Sequence, residues 1–198
     1  MDLALFDFDG TLTTRDTLFD FLWFTFGFRR FLVGMIKVSP VLLLFAFGAV
    51  SNVDAKRKVL SQFFKGLRAE ELIGWGVHYG ESGIPRILRL EALERLRWHK
   101  TLGHRVIVVT ASAEEWVRPW CSSQDVELIG TKLEVVGDRV TGNFATSNCR
   151  GAEKVRRIRE RVHLENYRRV YAYGDSKGDR EMLSLATDPH YRDFGEQL

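Results

Sequence analysis

Short runs of apolar residues that lack helical spacing occur at four places along the chain and predict buried β-strands. They span Leu3–Phe8, Arg105–Thr110, Val126–Thr131 and Val170–Tyr173. Each run ends in glycine or polar residues, as expected where a strand gives way to a loop. Because consecutive positions within each run are mostly apolar, we expect both faces of the sheet to be covered.

Helical patterns occupy the intervals between these strands. The predicted helices span Ile84–Leu102, Ser112–Trp120 and Gly151–Arg161, with a last one through Met182, Leu183 and Ala186. Ser112 is the predicted N-cap of the second helix, because Glu115 stands at the spacing of a capping box. Leu133–Phe144 alternates around Gly137-Asp138 and predicts a β-hairpin. Strands that alternate with helices predict an α/β fold with a three-layer, Rossmann-like parallel sheet.

Residues 14–83 differ from the rest of the chain in their pattern of apolar and polar residues. They predict a helical insert after the first strand. The segment is rich in apolar side chains and shows no strand-and-turn alternation. Its most apolar part, Phe31–Val53, contains a charge-free portion, Val38–Val53, that is shorter than the roughly 20 residues of a membrane span. We therefore predict a helical hairpin there. The expected division is a core of residues 1–13 plus 84–198 and a helical cap domain of residues 14–83.

Composition narrows the classes of protein that fit this chain. With 198 residues, 45% hydrophobic and 28% charged, it can form a globular core. The net charge of +3 is small and the basic run at 154–169 has few aromatic residues beside it, so we predict no nucleic-acid partner. The spacing of the two cysteines and five histidines excludes a disulfide framework and a zinc site. The first residues lack a leader pattern, so we expect a cytoplasmic protein.

Acidic and hydroxyl side chains follow three of the four predicted strands. The segments are Asp7-Phe8-Asp9-Gly10-Thr11, Thr110-Ala111-Ser112 and Gly174-Asp175-Ser176-Lys177-Gly178-Asp179. Because the carboxyl ends of parallel strands meet at one edge of a sheet, these side chains converge there. Clustered carboxylates repel one another unless a cation lies among them, and their oxygens are suitable ligands for Mg²⁺. The sequence therefore predicts a cation site.

Four segments resemble the four motifs of the haloacid dehalogenase (HAD) superfamily, in the same order along the chain. They are Asp7–Thr13, Val108–Ser112, Gly151–Val155 and Gly174–Asp179. A helical insert after the first motif is similar to subfamily IB, the phosphoserine-phosphatase-like branch. The resemblance implies a phosphatase that forms an aspartyl phosphate and uses Mg²⁺. Asp9 favours phosphate-ester hydrolysis, because dehalogenases lack an acid at this position and transport ATPases carry Lys-Thr-Gly-Thr instead.

The resemblance also implies roles for individual acidic residues. Asp7 is the nucleophile, and as an anion it can attack phosphorus without a base to activate it. Asp9 protonates the leaving alkoxide and later activates water. The metal ligands are Asp7, the main-chain carbonyl of Asp9, and Asp175. Asp179 holds metal-bound water or Asp175 itself.

Phosphate binding is expected at the first three motifs. The implied residues are Gly10, Thr11, Thr110, Ala111 and Lys154. Thr110 and the amides after it would bind a nonbridging oxygen at the start of a helix. Lys154 supplies the positive charge of the third motif. Arg150 is the alternative, since the spacing in this branch varies.

The insert is expected to select the substrate. Asp16 stands where phosphoserine phosphatases place an acid that contacts the substrate amino group, and it is also an ordinary helix N-cap. Arg57 is the candidate for a substrate carboxylate. If the apolar side chains pack internally or form a homodimer interface, the substrate is a phosphoserine-like metabolite. If they contact lipid at the inner membrane face, Arg29, Arg30 and Lys37 bind anionic headgroups and the substrate is a lipid phosphomonoester.

Two other functions stay open at this point. A phosphotransferase would pass the phosphoryl group from the same intermediate to a hydroxyl other than water. A membrane-associated binding protein would keep the fold without catalysis. The complete set of motif residues argues against the second alternative.

Overall fold

A central sheet of five parallel strands organises the protein, for which the computed structural model describes residues 1–195. The sheet strands are β1 (Leu3–Phe6), β2 (Arg105–Ala113), β3 (Glu127–Thr131), β6 (Val170–Gly174) and β7 (Asp188–Tyr191). A separate antiparallel hairpin is formed by β4 (Leu133–Val136) and β5 (Arg139–Phe144). The order across the sheet is β3-β2-β1-β6-β7. The strand that carries the first motif therefore lies at the centre.

Seven α-helices connect and cover the described strands. They are α1 (Thr17–Ala46), α2 (Asn52–Phe64), α3 (Ala69–Ser82), α4 (Leu90–Thr101), α5 (Glu114–Ser123), α6 (Ala152–Arg161) and α7 (Arg180–Leu183). Along β1, Ala4 and Phe6 face the core formed with α1 to α5, whereas Leu3 and Leu5 face α6 and α7. This alternation follows from the two-residue period of a strand. The predicted α/β fold with three layers is confirmed.

The boundaries of two predicted helices are wrong for identifiable reasons. Ile84–Arg86 forms a separate 3₁₀ turn, and α4 begins only at Leu90. Ser112 is not an N-cap, because β2 continues to Ala113, which pairs with Thr131 of β3. The Glu115 carboxylate accepts instead from the main-chain N–H of Leu133, at 3.0 Å.

The predicted hairpin at Phe31–Val53 is also wrong. Residues 28–46 continue α1 after a break at Gly27, whose φ of 68° is compatible with glycine and costly for other residues. This segment packs against α2, where a Cβ on Gly34 would lie 2.2 Å from the Phe63 ring. No helix in the part of the chain that the structure describes is long and apolar enough to cross a membrane.

The three helices of residues 14–83 share a hydrophobic core with the sheet. Close approach of α3 to α5 depends on two glycines, since a Cβ on Gly76 would lie 2.0 Å from the Glu115 carbonyl oxygen and one on Gly80 2.8 Å from Pro119. Leu72 and Tyr79 of α3 belong to the same buried cluster as the strands. The division into a cap and a core domain therefore stays a prediction.

A pair of histidines, the buried His99 and the half-buried His104, packs against the central strands. His99 on α4 places its Nδ1 2.8 Å from His104 Nδ1 and its Nε2 2.9 Å from the Tyr173 hydroxyl. Burial, reinforced by His104, lowers the pKa of His99 to about 3. Burial also lowers the pKa of His104. At pH 7 both rings are therefore neutral, and the Nδ1–H of one donates to the Nδ1 of the other. A proton added to His99 would oppose folding.

His99→Phe should lower the free energy of unfolding at pH 7 and make the protein less sensitive to acid. The unfolded chain binds a proton at His99 below about pH 6.5, whereas the folded chain does not until about pH 3. The stability difference between wild type and variant should therefore shrink by about 1.4 kcal/mol per pH unit below 6.5. Urea unfolding across this range measures it. His163→Phe, at an exposed position, is the control, and a constant difference for His99→Phe would contradict the assignment.

Candidate functional site

The carboxyl ends of β1, β2 and β6 open into a cavity of about 390 Å³ beneath α1 and α2. Its polar side is lined by Asp7, Asp9, Asp16, Lys56, Arg150, Lys154, Ser176 and Asp179. Its apolar side is lined by Leu18, Phe19, Leu42, Phe45, Ala55 and Val59. The cavity therefore joins a strongly charged end to an apolar end formed by the insert.

Lys154 holds two carboxylates together at the charged end. Its Nζ lies 2.5 Å from Asp7 Oδ1 and 2.7 Å from Asp179 Oδ1, and its side chain is almost fully buried. These contacts join the end of β1, the start of α6 and the turn after β6. The structure thus places Lys154, and not Arg150, in direct contact with the first-motif aspartate. Arg150 lies at the exposed rim of the same cavity.

Burial and the mutual electrostatic interactions of Asp7, Lys154 and Asp179 determine their ionisation. Burial raises the pKa of Asp7 to about 7, and Lys154 opposes the rise while Asp179 and Asp9 add to it. Burial also opposes the charge on Lys154, but Asp7 and Asp179 outweigh it and hold the pKa of Lys154 above its usual value. For Asp179, burial is outweighed by Lys154, so its pKa is lowered. The ammonium group of Lys154 contacts both carboxylates. It stabilises the ionised form of Asp179 more than that of Asp7.

Three carboxylates are arranged as a cation site would require. One oxygen each from Asp7, Asp175 and Asp179 lies within 4.8 Å of the others. Oxygen donors of this kind fit a hard divalent cation such as Mg²⁺. The Asp9 carboxylate is outside this group, and the metal contact of its main-chain carbonyl stays a prediction.

The loop after β1 approaches Asp175 closely. Gly10 has a φ of 85°, and a Cβ there would lie 2.4 Å from Asp175 Oδ2, so only glycine fits. The Thr11 hydroxyl donates to Asp7 Oδ2 at 3.3 Å and is 3.4 Å from Asp175 Oδ1. Both predicted phosphate-binding residues of the first motif therefore lie beside the carboxylate group.

Asp9 is held by the insert and by the second motif. Its Oδ1 accepts from the Thr17 main-chain N–H at 2.7 Å and from the Thr17 hydroxyl at 2.6 Å. Its Oδ2 accepts from the Ser112 hydroxyl at 2.5 Å. These donors fix the direction of the carboxylate, which lines the cavity beside Asp7.

The second motif is largely buried at the edge of the cavity. Thr110 is fully buried, and its hydroxyl accepts from the Ser112 main-chain N–H at 2.9 Å. Ala111 lines the cavity, and its carbonyl accepts from Lys56 Nζ at 2.7 Å. The Thr110 hydroxyl therefore contacts the motif's own backbone, and the predicted contact of Thr110 with phosphate stays a prediction.

The two predicted substrate residues of the insert have different locations. Asp16 lines the cavity and is also the N-cap of α1, accepting from the Leu18 N–H at 2.8 Å. Arg57 is not among the lining residues; it is about half exposed, 3.8 Å from Asp54, with its guanidinium over Phe144.

Lys56, which sequence reasoning missed, enters the cavity instead of Arg57. Burial lowers the pKa of Lys56, whereas Asp16 and Asp9 oppose this change. The helical spacing of Asn52, Lys56 and Val59 on one face of α2 is the signal that could have found it.

Two arginines that the sequence did not indicate hold the loops that follow β1 and β6. Arg89 Nε donates to the carbonyls of Gly10 and Thr13, at 3.1 and 3.3 Å. Arg192 Nε donates to the carbonyl of Asp175 at 2.8 Å. Main-chain carbonyls are present at every position, so no sequence pattern marks these contacts.

Comparison with known proteins identifies the family of this chain. The model of the haloacid dehalogenase-like hydrolases matches residues 4–184. The chain belongs to this family. This HAD-like hydrolase is 35% identical to the protein CicA of Caulobacter vibrioides, over 97% of this chain and 86% of that one. It is 26% identical to a histidinol-phosphatase of Neisseria meningitidis, over 95% and 88% respectively.

Solved structures share the fold of this HAD-like hydrolase. A protein of unknown function from Bordetella pertussis Tohama I has a TM-score of 0.81 at 25% identity, over 94% of this chain and 87% of that one. A phosphoserine phosphatase, solved as a phospho-aspartyl intermediate analogue, has a TM-score of 0.65 at 21% identity, over 93% and 82%. The predicted membership of the HAD superfamily is confirmed.

Mg²⁺ should raise the melting temperature of the wild-type protein, because a ligand that binds only the folded state stabilises it. Asp175→Asn removes one of the three carboxylates and should lose most of this shift. Thermal unfolding with increasing Mg²⁺, after treatment with chelator, measures both. Asp138→Asn, at an exposed position on the hairpin, is the matched control. An equal shift in Asp175→Asn and wild type would contradict the site.

Proposed function

We propose that this HAD-like hydrolase is a Mg²⁺-dependent phosphatase that hydrolyses a phosphomonoester through an aspartyl phosphate at Asp7. The contact that carries the proposal is the pairing of Lys154 with both Asp7 and Asp179, beside Asp175, at the charged end of the cavity. Relatives and structural neighbours that are called phosphatases support it.

The first step is attack of an Asp7 carboxylate oxygen on phosphorus. The bond between phosphorus and the ester oxygen breaks, and the leaving alkoxide takes a proton from Asp9. Thr17 and Ser112 hold Asp9 in a fixed direction for this transfer. Lys154 offsets the negative charge of the phosphoryl group and of the carboxylates around it.

The second step is hydrolysis of the acyl phosphate. Asp9, now ionised, removes a proton from a water molecule, whose oxygen attacks phosphorus. The bond between phosphorus and the Asp7 oxygen breaks, which restores the carboxylate and releases inorganic phosphate. Each proton that Asp9 gives in the first step is recovered in the second.

Mg²⁺ would be held by Asp7, Asp175 and Asp179, with the main-chain carbonyl of Asp9. It would supply electrostatic stabilisation of the phosphoryl oxygens, which carry dispersed charge during transfer. Gly10 and the two bracing residues Arg89 and Arg192 keep these loops in place.

The shape of the cavity bears on the two candidate substrate classes. Lys56, Arg150 and Asp16 surround the position of a polar group next to the phosphate, as a phosphoserine-like metabolite would require. Phe19 and Phe45 on the opposite side favour an apolar group, as in a lipid phosphomonoester. Measuring kcat/KM for phosphoserine and for a lysolipid phosphate distinguishes the two substrate classes, because the enzyme should have the higher value for its own class. We propose a cytoplasmic location for either class.

Asp7→Asn should abolish phosphate release, because the amide is a poor nucleophile and leaves Lys154 with one carboxylate partner fewer. A loss of at least roughly a thousandfold is expected for removal of a covalent nucleophile. Release of inorganic phosphate measures it, with circular dichroism to confirm folding. Asp54→Asn, an exposed change on α2, should retain wild-type rates. Activity of Asp7→Asn within about tenfold of wild type, a barrier change of only about 1.4 kcal/mol, would contradict the nucleophile assignment.

Asp9→Asn should slow breakdown of the intermediate, since the amide cannot remove a proton from water. A phosphoenzyme should then accumulate with a reactive aryl phosphate, whose leaving group needs little protonation. Quenching and intact-mass measurement detect the added phosphoryl group. Ser112→Ala removes a donor to Asp9 and should give a milder form of the same effect. If Asp9→Asn hydrolyses the ester at full rate, the acid and base role is wrong.

A further inference from the structure

The outer segment of α1 presents an apolar face to solvent. We define this outer face by Leu32, Val33, Ile36, Leu43, Leu44 and Phe47, whose side chains are 44–85% exposed. Their spacing places them on one side of a helix that extends for roughly 30 Å between residues 28 and 47. The opposite side, with Gly34 and Val38, is buried against the rest of the protein. Soluble monomers rarely expose so many contiguous apolar side chains without a binding role.

The charge around the outer face has a single sign. Residues 21–53 contain Arg29, Arg30 and Lys37 and no aspartate or glutamate. Arg29 and Arg30 stand at the beginning of the outer segment, next to the Trp23–Phe28 ring contact. Lys37 flanks the apolar stripe near its middle. Exposed tryptophan and phenylalanine beside basic residues are typical of helices that lie in the headgroup region of a bilayer.

We propose that the outer face of α1 binds an anionic lipid bilayer with the helix parallel to the membrane surface. The apolar side chains enter the boundary between headgroups and acyl chains, and the three cations contact anionic headgroups. The aliphatic stems of Arg30 and Lys37 can lie along the apolar surface while their charges reach the headgroups.

A second copy of the chain fits this face less well. In a twofold-symmetric dimer the same patch would meet itself, so residues near the middle of the segment would lie opposite their own counterparts. Lys37 would then face Lys37 of the other copy without a carboxylate between them. The same positive charge is favourable at an anionic membrane, where each cation contributes to binding.

The outer face is continuous with the candidate active site. Leu42 and Phe45 lie on the inward side of the same helical segment and line the cavity that contains Asp7. A lipid molecule at the bilayer surface could therefore place its phosphate near Lys154 while its acyl chain stays beside α1. This part of the inference rests on the proposed phosphatase function, whereas binding of the bilayer does not.

Cosedimentation of the full-length protein with vesicles tests the inference. Wild type should bind vesicles of phosphatidylcholine with phosphatidylglycerol more tightly than vesicles of phosphatidylcholine alone. The double variant Ile36→Glu/Leu43→Glu should reduce binding at least tenfold. Val136→Glu/Leu102→Glu is the matched control, since it makes the same charge change at side chains of similar exposure and should bind like wild type. Arg30→Ala/Lys37→Ala should lose about fivefold per cation on anionic vesicles only.

Three results would overturn the proposal. Wild type could fail to bind anionic vesicles, or Ile36→Glu/Leu43→Glu could bind as well as wild type. Sedimentation could also show a stable wild-type dimer that this variant converts to a monomer, which would identify the outer face as a homodimer interface.

Hydrolysis of a soluble aryl phosphate separates failure of this inference from failure of the phosphatase proposal. Ile36→Glu/Leu43→Glu should retain this soluble activity while losing hydrolysis of a phosphate ester embedded in vesicles. If wild type binds vesicles but hydrolyses neither ester, the phosphatase proposal fails, whereas the proposal that the outer face binds a bilayer is retained.

Discussion

The shared ammonium group of Lys154 is the interaction on which the site depends. Two buried carboxylates cannot both remain charged without a nearby cation, because desolvation and mutual repulsion oppose it. Lys154 satisfies Asp7 and Asp179 at once. It can do so only if α6, on one face of the sheet, meets the ends of β1 and β6 at the same edge. The order of the strands and the position of the third motif are therefore linked through one side chain.

The central strands could be predicted because they are buried on both faces and therefore apolar throughout. The edge strand β7 gave no such signal. Its sequence, Asp188-Pro189-His190-Tyr191, pairs on one side only and is alternately half-exposed. A helical hairpin was predicted within Phe31–Val53, whereas α1 breaks at Gly27 and then continues through Pro40. Local residue preferences mark where a turn is allowed, and tertiary packing decides where it occurs.

The charged end of the cavity was predictable because three of the four motifs follow strands. Parallel strands bring their carboxyl ends, and with them Asp7 and Asp175, to one edge of the sheet. No strand end fixes the positions of the cavity-lining residues within the insert. Arg57 and Lys56 are adjacent in sequence but about 100° apart around α2, and only the helical phase shared with Val59 distinguishes them. The spacing of Ser112 and Glu115 matched a local capping pattern. Long-range hydrogen bonds to Asp9 and Leu133 took precedence over it.

The glycine contacts between α3 and α5 limit how a molecule can reach the cavity. Gly76 and Gly80 let the two helices touch almost backbone to backbone, and Trp116 on α5 is fully buried at the junction of the insert and the sheet. Swinging residues 14–83 away as a rigid lid would expose this aromatic core to water, which is unfavourable over so large an apolar area. Exchange of a bound molecule without this cost requires smaller movements, such as reorientation of the side chains that line the cavity, Leu42 and Phe45 among them. The rate of exchange would then depend on those side chains, and not on separation of the whole insert from the sheet.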